Sequence, residues 1–346
     1  MKLKNKLFDI HRFYNLSRYL FLNIEWNYNN FVSKTDITLP QLRVLWIINI
    51  FKGISLKEIA KIGCWSPPTV TKILKLLMKK GLVLREKTEN KKLYTLNITE
   101  AGHKLIRVNK MKKQDDTALL QLIYYVNEDD LNFAIEILKL ITINSTNTFL
   151  FEYIEKLNKL ELKVDFSNFN CREKLIIEKL ILFYNLLRIF ILTLVNNHRN
   201  LLSDFKLTYP QLRALWIIDA FPGITSARLS KIIYLAPSTV NVIVKKLYEK
   251  NLIYKEKSKL KNSLFLYISE KGEGLLIKEF NINQKSFLIY KNLEFLSENQ
   301  LFKLNKFMLN LNLVLKNDFV KEYIDETFSV IEKRLYPNIA CVHKNL

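Results

Sequence analysis

Apolar side chains recur at helical spacing along much of the chain. The clearest case is residues 66–77, where Val70, Ile73, Leu74 and Leu77 form one stripe at i, i+3, i+4 and i+7. Thr69, Thr71, Lys72, Lys75 and Lys79 fall on the opposite side. Ser66 stands where it can cap this helix, and Pro67 suits the first helical position, where its missing N–H removes no bond. Gly81 marks the end. The same reading predicts a long amphipathic helix over 8–31, a second from Pro40 to just before Gly53, and a short one over 56–62 opened by Ser55. Gly63-Cys64-Trp65 is a tight turn. Residues 82–87 and 93–98 read as two strands of a hairpin with a polar, basic tip. A helix is expected from Thr99 to about Tyr125. Another runs to about Leu160, capped by Asn127 and charged at its start by Glu128, Asp129 and Asp130. Residues 165–170 are the expected linker.

The pattern occurs twice. Pro40-Gln41-Leu42-Arg43 with Leu45-Trp46-Ile47-Ile48 returns as Pro210-Gln211-Leu212-Arg213 with Leu215-Trp216-Ile217-Ile218, an offset of 170 residues. Between Pro40 and Gly102, 28 of 63 positions are identical to their counterparts. The chain therefore divides into a repeat over 1–165 and a repeat over 171–335 that share one fold. The core stripe is kept at Val70/Val240, Ile73/Ile243, Leu74/Val244 and Leu77/Leu247, while Pro68/Ser238, Thr71/Asn241 and Lys72/Val242 differ on the outward face.

Seven Gly and seven Pro in 346 residues favour long helices over an all-β chain. The formal charge of +21 suits a polyanionic partner, although an AT-rich coding sequence yields the same bias. Basic residues are spread evenly, 27 of the 54 lying in 1–165, so neither repeat is a basic tail. Three widely spaced cysteines (Cys64, Cys171, Cys341) form no metal or disulfide spacing, which fits a reducing cytoplasm. Residues 1–10 lack a signal-peptide apolar region, and Glu178, Lys179 and Arg188 interrupt the most apolar run, 175–195, so no membrane span is expected. No paired carboxylates, phosphate loop or nucleophile–base set appears, and no enzyme activity or cofactor is expected.

Helix, tight turn, helix and hairpin make a winged helix-turn-helix, in which one helix fits the major groove and the hairpin reaches a neighbouring groove. The residues resemble the MarR-type transcription regulators. Leu39-Pro40-Gln41, Leu56-Lys57-Glu58-Ile59-Ala60, Thr69-Val70-Thr71-Lys72, Lys80-Gly81-Leu82-Val83 and Asn97-Ile98-Thr99-Glu100-Ala101-Gly102 carry the resemblance in the first repeat. Pro210-Gln211, Ser238-Thr239-Val240, Leu252-Ile253 and Ser269-Glu270-Lys271-Gly272 carry it in the second.

The resemblance implies a mainly α fold with small β-hairpin wings. It implies two winged helix-turn-helix units (DNA-binding cores about 39–99 and 209–269) and long helices of the family's dimerisation type. Both copies sit in one chain, so the expected state is a monomer that forms its own pseudo-two-fold dimer. The expected partner is double-stranded DNA, read as an asymmetric or imperfectly palindromic site of roughly 20 base pairs. The candidate contact residues are Ser66, Pro68, Thr69, Thr71, Lys72 and Lys75 in the first reading helix and Lys91 and Lys92 in its wing. Their counterparts are Ser238, Thr239, Asn241, Lys245 and, in the second wing, Lys261. Lysine wing tips replace the family's Asp-Arg pair (Asn90-Lys91 and Leu260-Lys261), and lysine lacks arginine's planar fork. The family also admits a small-molecule effector, with Trp26, Trp46 and Trp216 as candidate walls, although core packing is the favoured reading, Trp46 lying amid Leu45, Ile47 and Ile48. Cys64 could act as a redox sensor, but only Lys61 lies nearby to activate it and the second repeat has Tyr234 there, so sensing is not the expected role. The competing function is an interaction protein that has lost DNA binding in one or both wings and holds another regulator.

Overall fold

The computed structural model describes residues 2–87, 94–145, 154–156, 163–202, 205–257, 264–286, 293–316 and 319–335. In the first repeat α1 spans Lys2–Val32, α2 Leu39–Ile50, α3 Leu56–Gly63, α4 Pro67–Lys79, β1 Val83–Lys87, β2 Tyr94–Ile98, α5 Glu100–Val108 and α6 Glu128–Ser145. In the second, α7 spans Cys171–Leu202, α8 Tyr209–Ala220, β3 Ile224–Thr225, α9 Ser226–Ile233, α10 Pro237–Glu249, β4 Ile253–Lys257 and β5 Leu264–Ile268. Three helices follow: α11 Glu270–Ser286, α12 Glu298–Val314 and α13 Phe319–Leu335.

Local chemistry sets the boundaries. Thr38 and Gln41 form a capping box at α2, and Ser55 with Glu58 forms one at α3, which satisfies N–H groups that a helix start leaves open. Gly81 takes φ 68° just past α4, and Leu82 N–H donates to Leu77 O at 3.0 Å, so the helix closes as the glycine predicts. The second repeat uses Asn251 at φ 57°, asparagine being the side chain that best tolerates this conformation after glycine. Gly102 and Gly272 open α5 and α11 against the hairpin base. A Cβ at Gly102 would lie 2.5 Å from Leu82 O, and one at Gly272 would lie 2.2 Å from Leu252 O.

One expectation fails. The helix expected to reach Tyr125 stops at Val108. Asn109 donates its side-chain amide back to Leu105 O at 2.9 Å, and Met111 then leaves the helix to exchange backbone hydrogen bonds with Lys163 and Asp165. In the second repeat α11 continues to Ser286.

The chain forms two compact units, and neither coincides with a sequence repeat. Unit one combines Met1–Tyr19 with Leu194–Leu346, and unit two is Leu20–Thr193. Each winged helix-turn-helix therefore shares a unit with part of the other repeat's long helix. In unit one the side-chain amides of Asn305 and Asn312 donate to Asp9 O and Leu16 O, each at 3.0 Å, and Tyr19 packs edge-on against Phe319 and Tyr323. In unit two Arg188 and Tyr184 of α7 bond to residues of the first repeat. The cause lies in the long helices. Tyr19, Phe183, Leu186 and Leu187 are fully buried, so both helices carry a broad apolar face to cover.

Within unit two, α2 packs on α3, α4 and β2, and the β1–β2 hairpin is antiparallel with Val83 opposite Ile98. Within unit one, α8 packs on α9, α10, α13 and β5, and β3 joins the hairpin to give the strand order β3-β5-β4.

Candidate nucleic-acid interface

The two reading helices present the outward faces that their periodicity predicts. In α4, Val70, Ile73, Leu74 and Leu77 are buried, each burial contributing about 1.5–3 kcal/mol. Ser66, Pro68, Thr69, Lys72 and Lys75 are exposed and Thr71 is half-buried. Ser66 caps the helix, its Oγ accepting from Thr69 N–H at 3.4 Å and lying 2.8 Å from the Thr69 hydroxyl. Thr71 donates to Pro67 O at 2.9 Å, which leaves its hydroxyl oxygen free to accept. Lys72 and Lys75 form no ion pair with the described residues, so both ammonium groups face outward uncommitted.

In α10, Val240, Ile243, Val244 and Leu247 are buried, while Ser238, Thr239, Asn241 and Lys245 are exposed. Ser238, Thr239 and Asn241 make no side-chain hydrogen bond among the described residues. Lys245 lies 3.8 Å from Glu249, a loose i,i+4 ion pair. Val242 is 53% exposed where the first repeat has Lys72. Ala236 stands where Ser66 caps α4, so α10 starts without a side-chain cap. The wing residues Lys91, Lys92 and Lys261 lie outside the described residues. At the described base of the first wing, Arg85 stacks on the Tyr94 ring at 3.7 Å.

The turn between α3 and α4 is built differently in the two repeats. Cys64 and Tyr234 both take left-handed backbone, φ 52° and 55°, at the ends of α3 and α9. Trp65 lies so close over Gly63 that a Cβ there would meet its ring at 2.0 Å, and the second repeat replaces the pair with Ile233 and Leu235. Burial pushes the Cys64 thiol up, outweighing Arg188, which agrees with the reading that Cys64 is not a redox sensor.

Behind the first turn lies a charged cluster that the sequence alone does not reveal. Arg43 of α2 donates to both carboxylate oxygens of Glu25, at 2.5 and 2.8 Å, and Tyr184 donates to the same carboxylate. Burial raises the Glu25 carboxyl, but Arg43 and Arg188 outweigh it and hold the group below its usual range. Arg188 donates to Gly63 O at 3.0 Å and so ties α7 to the helix-turn-helix turn. In unit one the counterparts differ. Val195 replaces Glu25, and Arg213 approaches Ile233 O at 3.5 Å. The available signal was an arginine inside an apolar helix, Arg43 between Leu42 and Val44, repeated as Arg213.

Trp46 is 3% exposed and borders a small cavity in unit two, so it serves the core and a cavity wall together. Trp26 is 41% exposed. Among the described residues no group of His, Cys, Asp and Glu is placed to hold a metal, and no helix is long and apolar enough to cross a membrane.

The MarR family model matches residues 37–93 and 207–259, the two helix-turn-helix cores with their first wing strands. Each of these two regions is a MarR-type domain, so the chain carries that domain twice. It is 29% identical over 116 residues to the HTH-type transcriptional regulator Hpr of Geobacillus sp. (strain WCH70), covering 33% of this chain and 57% of that protein. It is 30% identical over 97 residues to Hpr of Exiguobacterium sibiricum, covering 28% and 51%. The chain thus spans about half the length of the curated relatives it matches. Among solved structures, FabT of Streptococcus pneumoniae in complex with DNA is 22% identical, covering 38% of this chain and 92% of that one, with a TM-score of 0.32. A MarR family protein from Bacillus stearothermophilus is 23% identical, covering 37% and 89%, with a TM-score of 0.32.

Proposed function

We propose that the chain is a cytoplasmic, non-enzymatic transcription regulator that binds double-stranded DNA in a sequence-specific manner. One chain presents two unlike reading helices to one asymmetric or imperfectly palindromic site. The observation that carries the proposal is the pair of outward faces. The buried stripes of α4 and α10 are nearly identical, whereas the exposed positions carry Pro68, Thr71 and Lys72 in one and Ser238, Asn241 and Val242 in the other. Asparagine pairs bidentately with adenine, while lysine favours guanine acceptors or phosphate, so the two faces prefer different base steps. Ser66, Thr69, Lys75, Thr239 and Lys245 complete the contacts, with Lys91, Lys92 and Lys261 reaching phosphate from the wings. The mixing of both repeats in each compact unit supports a single-chain pseudo-dimer. The MarR-family match and the likeness to the HTH-type regulators support the choice of partner.

Site selection on random duplexes, followed by sedimentation of the complex, tests the reading. The expected result is two unequal half-sites held by one chain. A perfect palindrome with equal tolerance in both halves, or two chains per site, overturns it.

The second reading keeps the fold but assigns the basic faces to an acidic protein regulator. The differing outward faces favour it only if one wing has lost DNA. Gel shifts on genomic fragments at two salt concentrations separate the two, because phosphate contacts make DNA affinity fall steeply with salt. A small-molecule effector is part of the proposal.

A further inference from the structure

Lys163 lies deep in unit two, only 5% exposed, and its carbonyl accepts from Met111 N–H at 2.8 Å. Its side chain lines the same cavity as Arg43, Trp46 and Arg188, a space of about 30 Å³, enough for one or two water-sized groups. The ammonium position is poor. Nζ has Asn185 Oδ1 at 3.4 Å, the Trp46 ring centre at 5.8 Å, and no carboxylate in ion-pair reach among the described residues. Burial, followed by repulsion from Arg43 and Arg188, holds this amine well below the lysine range. Burial without a carboxylate partner disfavours the charged form of this amine, and the uncharged form carries a lone pair.

Two further observations say what the cavity wants. First, the charges around it do not balance. Arg43 and Arg188 bring two positive charges, and Glu25 brings one negative charge. Second, three buried donors around it have no acceptor among the described residues: Trp46 Nε1–H, Arg188 Nε–H and the Tyr28 hydroxyl. One added anion with two oxygen acceptors would close both deficits.

We propose that Lys163 is a carbon-dioxide-binding residue, carbamylated at Nζ inside this cavity. The Nζ lone pair forms a bond to the carbon of CO₂, one C=O electron pair moves onto oxygen, and one N–H proton leaves to solvent. The balance is R–NH₂ + CO₂ → R–NH–COO⁻ + H⁺. The product carries the missing negative charge and two acceptor oxygens, and CO₂ is small enough for the space. An aldehyde is the alternative electrophile for a free amine. It would give an imine, which adds no negative charge and leaves the donors unmatched.

The test uses the full chain in ¹³C-labelled bicarbonate and CO₂ at fixed pH. Carbamate is trapped by O-alkylation with a trialkyloxonium salt and mapped by peptide mass spectrometry. The expected result is trapped label on Lys163 at a several-fold higher level than on exposed lysines such as Lys72 and Lys75. Label absent from Lys163, or no greater there than on those lysines, overturns the proposal. The mapping needs no variant. Lys163→Met adds a second check, because a rise in melting temperature with CO₂ is expected in the parent chain and not in the variant. The same rise in both overturns the assignment. Formate in place of CO₂ is the control. Stabilisation of parent and variant alike by formate, without label on Lys163, assigns the cavity to a non-covalent carboxylate and overturns carbamylation.

Discussion

The guanidinium of Arg188 donates to the carbonyl oxygen of Gly63 at 3.0 Å, across 125 positions of sequence. This bond joins a long helix of the second repeat to the turn that aims the first reading helix. The same guanidinium helps hold down the carboxyl of Glu25, which accepts from Arg43 and Tyr184. Replacing Arg188 with Leu leaves Gly63 O without its partner. The expected loss in unfolding free energy is about 1–3 kcal/mol, read by denaturant titration. Binding to the half-site of the first repeat weakens more than binding to the second.

Glu25→Val installs the residue that the second repeat carries at this place. Arg43 then stays inside without its carboxylate. Breaking a buried pair costs about 3–5 kcal/mol, and the 22% exposure of Glu25 lowers the expectation to about 1–3 kcal/mol. Arg43→Leu added to Glu25→Val restores part of the loss. A double-mutant cycle measures this, and strictly additive losses would show that the two side chains do not act together.

How much of this was readable beforehand differs by element. The helix-turn-helix cores were legible because a stripe such as Val70, Ile73, Leu74 and Leu77 specifies period, face and burial together, and the second copy repeats it. The outward residues followed as its complement. The Glu25–Arg43–Tyr184–Arg188 cluster was not legible, because its members are separated by up to 163 positions and join only when one repeat's long helix packs on the other repeat's core. Periodicity reports that a helix has a buried face and not which partner covers it. The stop at Val108 was missed for a related reason, since the pairing of Met111 with Val164 is long-range.

On the DNA side, Lys72→Ala is expected to relax base preference in one half-site and to reduce the slope of log affinity against log salt by about one. Val242→Ala, at the equivalent exposed position, leaves both unchanged. Asn241→Ala relaxes the other half-site. Parallel binding-site selections with the three variants provide the measurement.

Stability at acid pH carries the signature of His11. Its Nε2 accepts from Asn15 Nδ2 at 2.9 Å, and burial pushes the imidazole down to about 4 from 6.5. The unfolded chain therefore takes up this proton first. The contribution of the neutral ring is complete above pH about 6.5 and is lost as pH falls toward 4, about 2 kcal/mol for a ring still partly open to solvent. In His11→Gln the stability profile over this window flattens. Urea midpoints at pH 7, 5.5 and 4.5 are the readout.

Gly102→Ala and Gly272→Ala should each destabilise by about 2 kcal/mol or more, because the new methyl meets a backbone carbonyl of the hairpin base and not a movable side chain. Gly274→Ala, with open space around it, is the matched control.

The composition of the compact units bears on inheritance as well as on architecture. Neither repeat expressed alone contains a whole unit, since Met1–Tyr19 belongs with the second winged domain and residues 171–193 belong with the first. Two separate genes for unlike subunits would yield three pairings, two of them homotypic. A single reading frame yields one. In the proposed single-chain pseudo-dimer a substitution on one reading helix appears once per assembly and not twice, which leaves each face free to drift toward its own sequence.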